Sequence, residues 1–526
     1  MILTESLQKA VKFFPAKSAI VCGNQRWTYR EFYERINRVA HALRGWGVGK
    51  TDKVAILHAN CHCFLEAYYA IAQIGAVSVP INYRLSPGEI AFILQDSESK
   101  ILIAGQGFQK LGDPVRNEIS AVKRIVWTGK EGVLVEPRDV GYETVLRSAG
   151  SHPISESGTQ EEDVAQIYYT SGTTGRPKGV MLSHKNVSTH ALGTIAELHL
   201  TDRDVWVHVA PLFHLADAWA TWAMTWVGGT HVLVREFESK VVFEVIEKEK
   251  VTLTNLIPTM LNLMVKHPEV GHYNFSSLRV LLSGGAPIAP EVVRRIAETF
   301  KCDYIQTYGM TETSPYLTLS LLKGHLKELS YEDQLRFKSK TGREFIGVNL
   351  KVVNERGEEV QQDEKEVGEI IVKGDTVTKG YWKLPDETAK AIKEGWLFTG
   401  DMAVIDAEGY VTIVDRKKDM ILTGGENVYS TEVENVLYMH PAILECAVVG
   451  VPDEKWGEVV KGIVVLRPEQ HATEAEIIQF CKDRMAHYKA PKSIDFIHAL
   501  PRTGSGKIHK KTLRDKYWES YDKKVH

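Results

Sequence analysis

Thr170, Ser171, Thr173 and Thr174 alternate with Gly172 and Gly175 and are followed closely by Lys178, after the apolar run ending in Tyr168-Tyr169. Residues of these types in this order suit phosphate. Glycines let backbone N–H groups approach an anion, hydroxyls donate further hydrogen bonds, and the lysine adds a movable positive charge. The run is not a Walker A loop, because Pro177 stands five residues after Gly172 where the second glycine would be, and Gly179 follows Lys178 where Ser or Thr is required. A plain polar surface loop would share the composition but not the ordered hydroxyls, glycines and lysine.

Other segments follow in a fixed order. They are Ala210-Pro-Leu-Phe-His-Leu215, Ser283-Gly-Gly-Ala-Pro287, Tyr308-Gly-Met-Thr-Glu-Thr313, Thr399-Gly-Asp401, Asp415-Arg-Lys-Lys-Asp-Met-Ile421, Thr423-Gly-Gly-Glu-Asn-Val428 and Pro501-Arg-Thr-Gly-Ser-Gly-Lys507. With the Tyr168–Val180 run, this set resembles the adenylate-forming superfamily of acyl-CoA synthetases, peptide-synthetase adenylation domains and beetle luciferases. The resemblance extends from about residue 20 to the C-terminus.

The resemblance implies ATP, Mg²⁺ and CoA as cofactors, and a role for each motif residue. Thr170, Ser171, Gly172, Thr173, Thr174, Gly175 and Lys178 would cradle the β- and γ-phosphates. Thr311 would touch the α-phosphate, and Glu312 would hold Mg²⁺, to which a hard carboxylate oxygen is suited. The Tyr308 ring and Gly309 would lie against adenine, with Gly284, Gly285 and Ala286 leaving room for base and acyl chain. Asp401 and Arg416 would bind the ribose, although an ion pair between the two is an ordinary structural alternative. Lys507 would bridge the attacking carboxylate and the α-phosphate, where a compact charge on a flexible stem meets developing negative charge. His214 would stand beside the carboxylate; a core histidine is its plainer reading. Gly424 and Gly425 belong to the loop on the CoA side, and Tyr429-Ser430 departs from relatives that carry proline at the second position. Lys418 would be the hinge about which a C-terminal domain turns between two half-reactions.

These residues need a scaffold of several layers, and 526 residues are ample for at least two domains. Apolar strand-like and amphipathic helical runs alternate along the N-terminal part. The expected class is α/β: a large N-terminal domain of helix-covered, mostly parallel sheets plus a small barrel (1–415), then a small mobile α+β C-terminal domain (416–526). Val205–Val234 is apolar enough to suggest a membrane helix, but it contains His208, Pro211, His214, Asp217 and His231, so a buried strand and core helix are expected. A net charge of −3 disfavours a nucleic-acid partner. Six cysteines in so long a chain are no disulfide framework, and the N-terminus lacks a signal pattern, which predicts a cytoplasmic enzyme without an integral membrane segment. A homodimer is compatible with this picture.

Two further motifs stand apart from that chemistry. His58-Ala-Asn-Cys-His-Cys63 has ligand-like spacing but no second pair at a zinc-finger distance, and Gly45-Trp-Gly-Val-Gly-Lys-Thr51 lacks the first Walker glycine, Arg44 standing there. Both are read as turns between elements.

The reaction expected is AMP-forming acid:CoA ligation through an acyl adenylate, with a carboxylic acid and CoA as partners. Asp217, Trp219 and Trp222 are assigned to the acyl pocket, the two rings lying along one wall by helical spacing, with core packing as the alternative. Leu322-Lys-Gly-His-Leu326 and Lys340-Thr-Gly-Arg343 resemble medium- and long-chain fatty acid:CoA ligases more than the coumarate branch; an aryl acid is second. Amino-acid adenylation is disfavoured because Leu215, rather than Asp, follows His214, although Asp217 is near. A luciferase-like oxygenase shares the motifs, and a silent acyl-binding protein is disfavoured by Lys507, Glu312 and Asp401 together.

Overall fold

The computed structural model describes residues 1–108, 121–129, 139–154, 157–170, 177–285, 288, 290–502 and 508–519. Two compact units emerge, one of residues 1–350 with 372–397, the other of 351–371 with 398–526. The second unit thus includes strands on the N-terminal side of the expected 415/416 boundary.

The strands of the first unit are, in chain order, β1 (Ser18–Cys22), β2 (Gln25–Thr28), β3 (Lys53–Leu57), β4 (Val77–Pro80), β5 (Ser99–Gly105), β6 (Arg124–Thr128), β7 (Asp139–Gly141), β8 (Val164–Thr170) and β9 (Lys178–Ser183). There follow β10 (Val205–His208), β11 (Thr230–Leu233), β12 (Leu253–Asn255), β13 (Val280–Gly284), β14 (Asp303–Gly309), β15 (Tyr316–Leu319) and β16 (Gly342–Glu344). One sheet has the order β7-β6-β5-β3-β4-β8-β9, parallel except for the β8–β9 edge. The other runs β16-β15-β14-β13-β12-β10-β11-β1-β2, parallel from β14 to β1. These central strands are largely buried, as parallel strands covered on both faces must be, with polar residues such as Thr254, Asn255, Gln306 and Thr307 among the apolar ones.

Four helices matter for the site: α1 (His62–Gln73), α2 (His184–Leu198), α3 (Leu215–Val227) and α4 (Pro385–Ala391). Thr28 caps the helix Tyr29–Gly45 reciprocally with Glu31, each satisfying a backbone donor of the other. Val205–Val234 is a strand, a helix and a second strand, as its polar residues required, and α3 ends at Gly228 in the left-handed conformation. Among the described residues no helix is long and apolar enough to cross a membrane.

In the second unit, the strand Tyr410–Arg416 precedes an α+β region. There a sheet of Glu426–Val428, Ile421–Thr423, Gly457–Leu466 and Ile443–Asp453 packs around Val433, Leu437, Val448, Val464 and Ile477. Gly424 and Gly425 form the two-residue turn between the first pair, with φ of +61° and +86°; two successive positive φ values make this a glycine position.

Candidate active site

β8 and β9 pair with Thr170 opposite Lys178, so the two ends of the Ser/Thr/Gly segment stand side by side. Ser171, Gly172, Thr173, Thr174 and Gly175 lie outside the described residues, as do Ala286 and Lys507. Lys178 Nζ lies 2.5 Å from Glu387 Oε2 on α4 and 5.4 Å from the centre of the Tyr381 ring. The hydrogen bond from Lys178, seconded by Lys390, pushes the Glu387 carboxyl down to about 2.

Tyr381 is placed by a short run against β9: Trp382 N donates to Gly179 O and Met181 N to Gly380 O, at 2.7 and 3.0 Å. Its hydroxyl donates to Glu312 Oε1 at 3.0 Å. Burial, and then the charge of Glu312, raise the phenol above its ordinary range, so the proton stays on Tyr381. Glu312 follows Thr311 in a short helical turn after β14, is nearly buried, and accepts a backbone hydrogen bond from Thr378 at 2.7 Å. A cation, a phenol and a carboxylate thus meet from three distant parts of the chain. Sequence reasoning assigned Tyr381 no role; the Gly380-Tyr381-Trp382 triplet was the available signal.

Tyr308 is half-buried at the end of β14, opposite Thr318. At Gly309 an added Cβ would lie 1.9 Å from Pro315 O, and at Gly284 it would lie 2.3 Å from Thr307 Oγ1. Both glycines are therefore demanded by the close approach of neighbouring backbone, whatever else they touch. Gly285 has φ of +90°.

His214 is the N-cap residue of α3, partly buried, with its ring centre 4.5 Å from that of Phe213. The segment before it is clamped by Asn60, which the sequence did not single out. Asn60 Nδ2 donates to His208 O and Ala210 O at 3.1 and 2.9 Å, and its Oδ1 accepts from Leu212 N at 2.8 Å. Tyr68 adds a bond to Leu212 O at 2.8 Å and another to the Tyr168 hydroxyl at 2.9 Å.

The three residues assigned to the acyl pocket are all buried. Asp217 is buried, with Oδ1 accepting from Trp206 Nε1 at 3.1 Å and Oδ2 2.6 Å from His208 Nδ1. The polar chain continues from His208 Nε2 to His231 and on to Thr225, each step 3.0 Å. Trp219 packs edge-on against Trp206 and Tyr316, whereas Trp222 packs against Tyr68 and Tyr69 of α1. Both rings are fully buried and point to different neighbours. Trp219 thus meets β10 and β15 while Trp222 meets α1, so two rings three residues apart on one broad face of α3 have different neighbours.

In the second unit, Asp401 and Arg416 are opposite one another on adjacent strands, Arg416 Nε 3.4 Å from Asp401 Oδ1. Arg514 donates to the Lys418 carbonyl at 2.7 Å, and Lys417 pairs with Glu369 at 2.9 Å. His62, Cys63 and Glu66 bring one donor atom each within 4.8 Å of the others. Glu66, however, is held by Arg35 Nε at 2.6 Å and by the Tyr142 hydroxyl at 2.7 Å, so its oxygens serve a structural ion pair.

Comparison with known proteins agrees with this layout. The profile of the AMP-binding enzyme family matches residues 7–382, and that of the AMP-binding enzyme C-terminal domain matches 432–507. The chain is 33% identical over 524 residues to 4-hydroxybutyrate–CoA ligase 2 of Metallosphaera sedula, covering 97% of this chain and 93% of that protein. It is 36% identical over 510 residues to feruloyl-CoA synthase of an Amycolatopsis species, covering 97% and 98%. The solved structure of a Mycobacterium tuberculosis fatty acyl CoA synthetase superposes with a TM-score of 0.77 at 33% identity, covering 99% of each chain. With profiles and relatives spanning both ends of the chain, the protein belongs to the AMP-binding enzyme family, as an AMP-forming acyl-CoA synthetase that uses ATP, Mg²⁺ and CoA.

Proposed function

We propose that the acid activated is a medium- or long-chain fatty acid, one that carries no cationic group near its carboxylate. The observation that carries this reading is the engagement of Asp217: both its oxygens serve Trp206 and His208, so this carboxylate is committed within the core rather than kept for a substrate ammonium. Amino-acid adenylation thereby loses its best candidate residue. The apolar Phe213 and Leu215 on either side of His214 support an acid with a hydrocarbon body. An aryl acid is the second reading, favoured by the 36% identity to a feruloyl-CoA synthase.

In the first half-reaction a carboxylate oxygen attacks the α-phosphorus of ATP and pyrophosphate leaves; in the second the CoA sulfur attacks the acyl carbon and AMP leaves. The segment Thr170–Lys178 and Thr311 are assigned to the phosphates. The donor set fits Mg²⁺: a nearly buried hard carboxylate, Glu312, fixed by Tyr381 beside the Lys178 cation, would hold an ion that otherwise keeps its waters. That ion supplies charge neutralisation at the phosphates. Tyr308 with Gly309, and Gly284 to Ala286, are assigned to the adenine side; Asp401 and Arg416 to the ribose; Gly424 and Gly425 to the CoA side. Lys507 is assigned to the first half-reaction and Lys418 to a pivot between the two, in a mobile domain of residues 416–526. Six free thiols support work in the cytoplasm, and assembly as a homodimer completes the proposal.

Acid- and CoA-dependent AMP release over a panel of fatty, aryl and amino acids tests the reading. The largest kcat/KM should fall on an apolar aliphatic acid. A maximum on a hydroxycinnamate would establish the second reading, and a maximum on an amino acid would refute both.

A further inference from the structure

The strand-to-helix turn His58–Cys63 carries chemistry that acyl activation does not use. Cys61 is the N-cap residue of α1, a helix of 12 residues, and is partly exposed. Its Sγ lies 3.4 Å from His58 Nδ1 and 3.6 Å from Nε2, against the imidazole ring. Both nitrogens of that ring are engaged: Nδ1 donates to Ala59 O at 2.7 Å, and Nε2 shares a hydrogen bond with the Thr128 hydroxyl, which can accept from it when the ring is a cation. Cys63, two residues further on in the first turn of α1, is a hydrogen-bonding neighbour of Cys61. Its own Sγ is 3.3 Å from His62 Nε2. On ideal helix geometry the two Cα atoms are about 5.4 Å apart, inside the roughly 4.4–6.8 Å that a disulfide spans.

We propose that Cys61 is a reactive thiolate, with Cys63 as its resolving partner, forming an oxidation site for hydroperoxides. In the first step the Cys61 sulfur attacks one peroxide oxygen; an S–O bond forms, the O–O bond breaks, and the leaving oxyanion takes a proton from His58. In the second step the Cys63 sulfur attacks the Cys61 sulfur; an S–S bond forms, the S–O bond breaks, and the hydroxide leaves as water with the Cys63 thiol proton. Two thiols lose two electrons and the hydroperoxide is reduced to an alcohol, or water, plus one water.

The other cysteines differ in kind. Burial pushes Cys22 up to about 11, Cys302 to about 12 and Cys481 to about 11, and raises Cys446 and Cys63 well above the ordinary thiol range. At Cys61 burial works in the same direction, but the hydrogen bond from Cys63 and the His58 ring outweigh it and hold the thiol well below that range.

Oxidation here would reach the acyl-activating chemistry through Asn60. That residue immediately precedes Cys61 and its carboxamide clamps Ala210–Leu212, the segment leading to His214. A bond from Cys61 to Cys63 would rebuild the first turn of α1 and draw Asn60 with it. The oxidised protein is a ligase with a misplaced His214 segment, and reduction restores it.

The test treats the full-length protein with graded hydrogen peroxide and maps thiols by peptide mass spectrometry alongside ligase activity. The expected result is a Cys61–Cys63 disulfide forming before any other thiol is oxidised. Activity should fall by about tenfold or more, the scale of a small misplacement, and dithiothreitol should restore it. Cys61→Ser should keep its activity under peroxide, and Cys63→Ser should accumulate a Cys61 sulfenic acid that a cyclic 1,3-dione traps. Cys61 persisting as a thiol while other cysteines oxidise overturns the site. A disulfide that forms without loss of activity overturns its link to the ligase. Because the thiol map is read independently of any acid, failure of the fatty-acid assignment leaves this test intact.

Discussion

Tyr381 joins two charges assigned above to the phosphates of ATP and their metal ion, since its hydroxyl bonds Glu312 and its ring faces Lys178. A hydrogen bond to a charged group contributes about 1.5–3 kcal/mol, so Tyr381→Phe should lower kcat/KM for ATP by roughly 10- to 100-fold and raise the Mg²⁺ concentration needed for half-maximal rate. A KM for ATP and a Mg²⁺ requirement equal to the parent's would show that Glu312 is oriented by other groups. Lys507→Ala should abolish acyl-adenylate formation while sparing thioester formation from supplied acyl-AMP, because the charge that the lysine meets develops only in the first step. Equal losses in the two half-reactions, measured separately, would contradict that role.

At the scale of elements, α3 is a packing helix. Trp222→Ala should destabilise the protein by about 3–5 kcal/mol, the usual cost of an aromatic cavity, read from urea midpoints, with the chain-length optimum of the acid unchanged. A shifted optimum without loss of stability would return Trp222 to the substrate. Here the sequence was legible in part. Alternating apolar runs announced the helix-covered sheets, and the polar residues inside Val205–Val234 announced a strand and helix there. Motif order singled out Glu312, Lys178, Asp401 and Arg416, the last two of which stand opposite each other on neighbouring strands. Spacing on α3 could not announce direction: residues three apart share a broad face, and which neighbour each ring meets depends on β10 and α1, far away in the chain. Asn60 and Tyr381 were hidden for the same reason. Each acts through partners about 70 to 150 residues distant, and apart from the Gly380-Tyr381-Trp382 triplet nothing local points to such a contact.

For the whole molecule, acid should be destabilising through its buried histidines. Burial holds His190 down to about 3 and His184 to about 4, and lowers His231 well below its ordinary value. The unfolded chain therefore binds more protons below about pH 6.5. Stability should be full above that pH and fall as pH drops towards 4, by at most about 1.4 kcal/mol per pH unit for each group. His190→Gln should shrink the difference in urea midpoint between pH 7 and pH 5; an unchanged difference would assign the sensitivity elsewhere. Lys418→Pro should leave adenylation near the parent's rate and depress thioester formation, since proline fixes φ at the proposed pivot; acyl transfer to CoA at the parent's rate would exclude Lys418 as that pivot. The most direct test of the central claim is the fate of ATP labelled in its phosphates, followed with acid alone and then with CoA added. Acid alone should drive exchange of pyrophosphate into ATP, and CoA should then yield AMP and acyl-CoA in equal amounts. Formation of ADP and phosphate, or no exchange with any carboxylic acid, would contradict activation through an acyl adenylate.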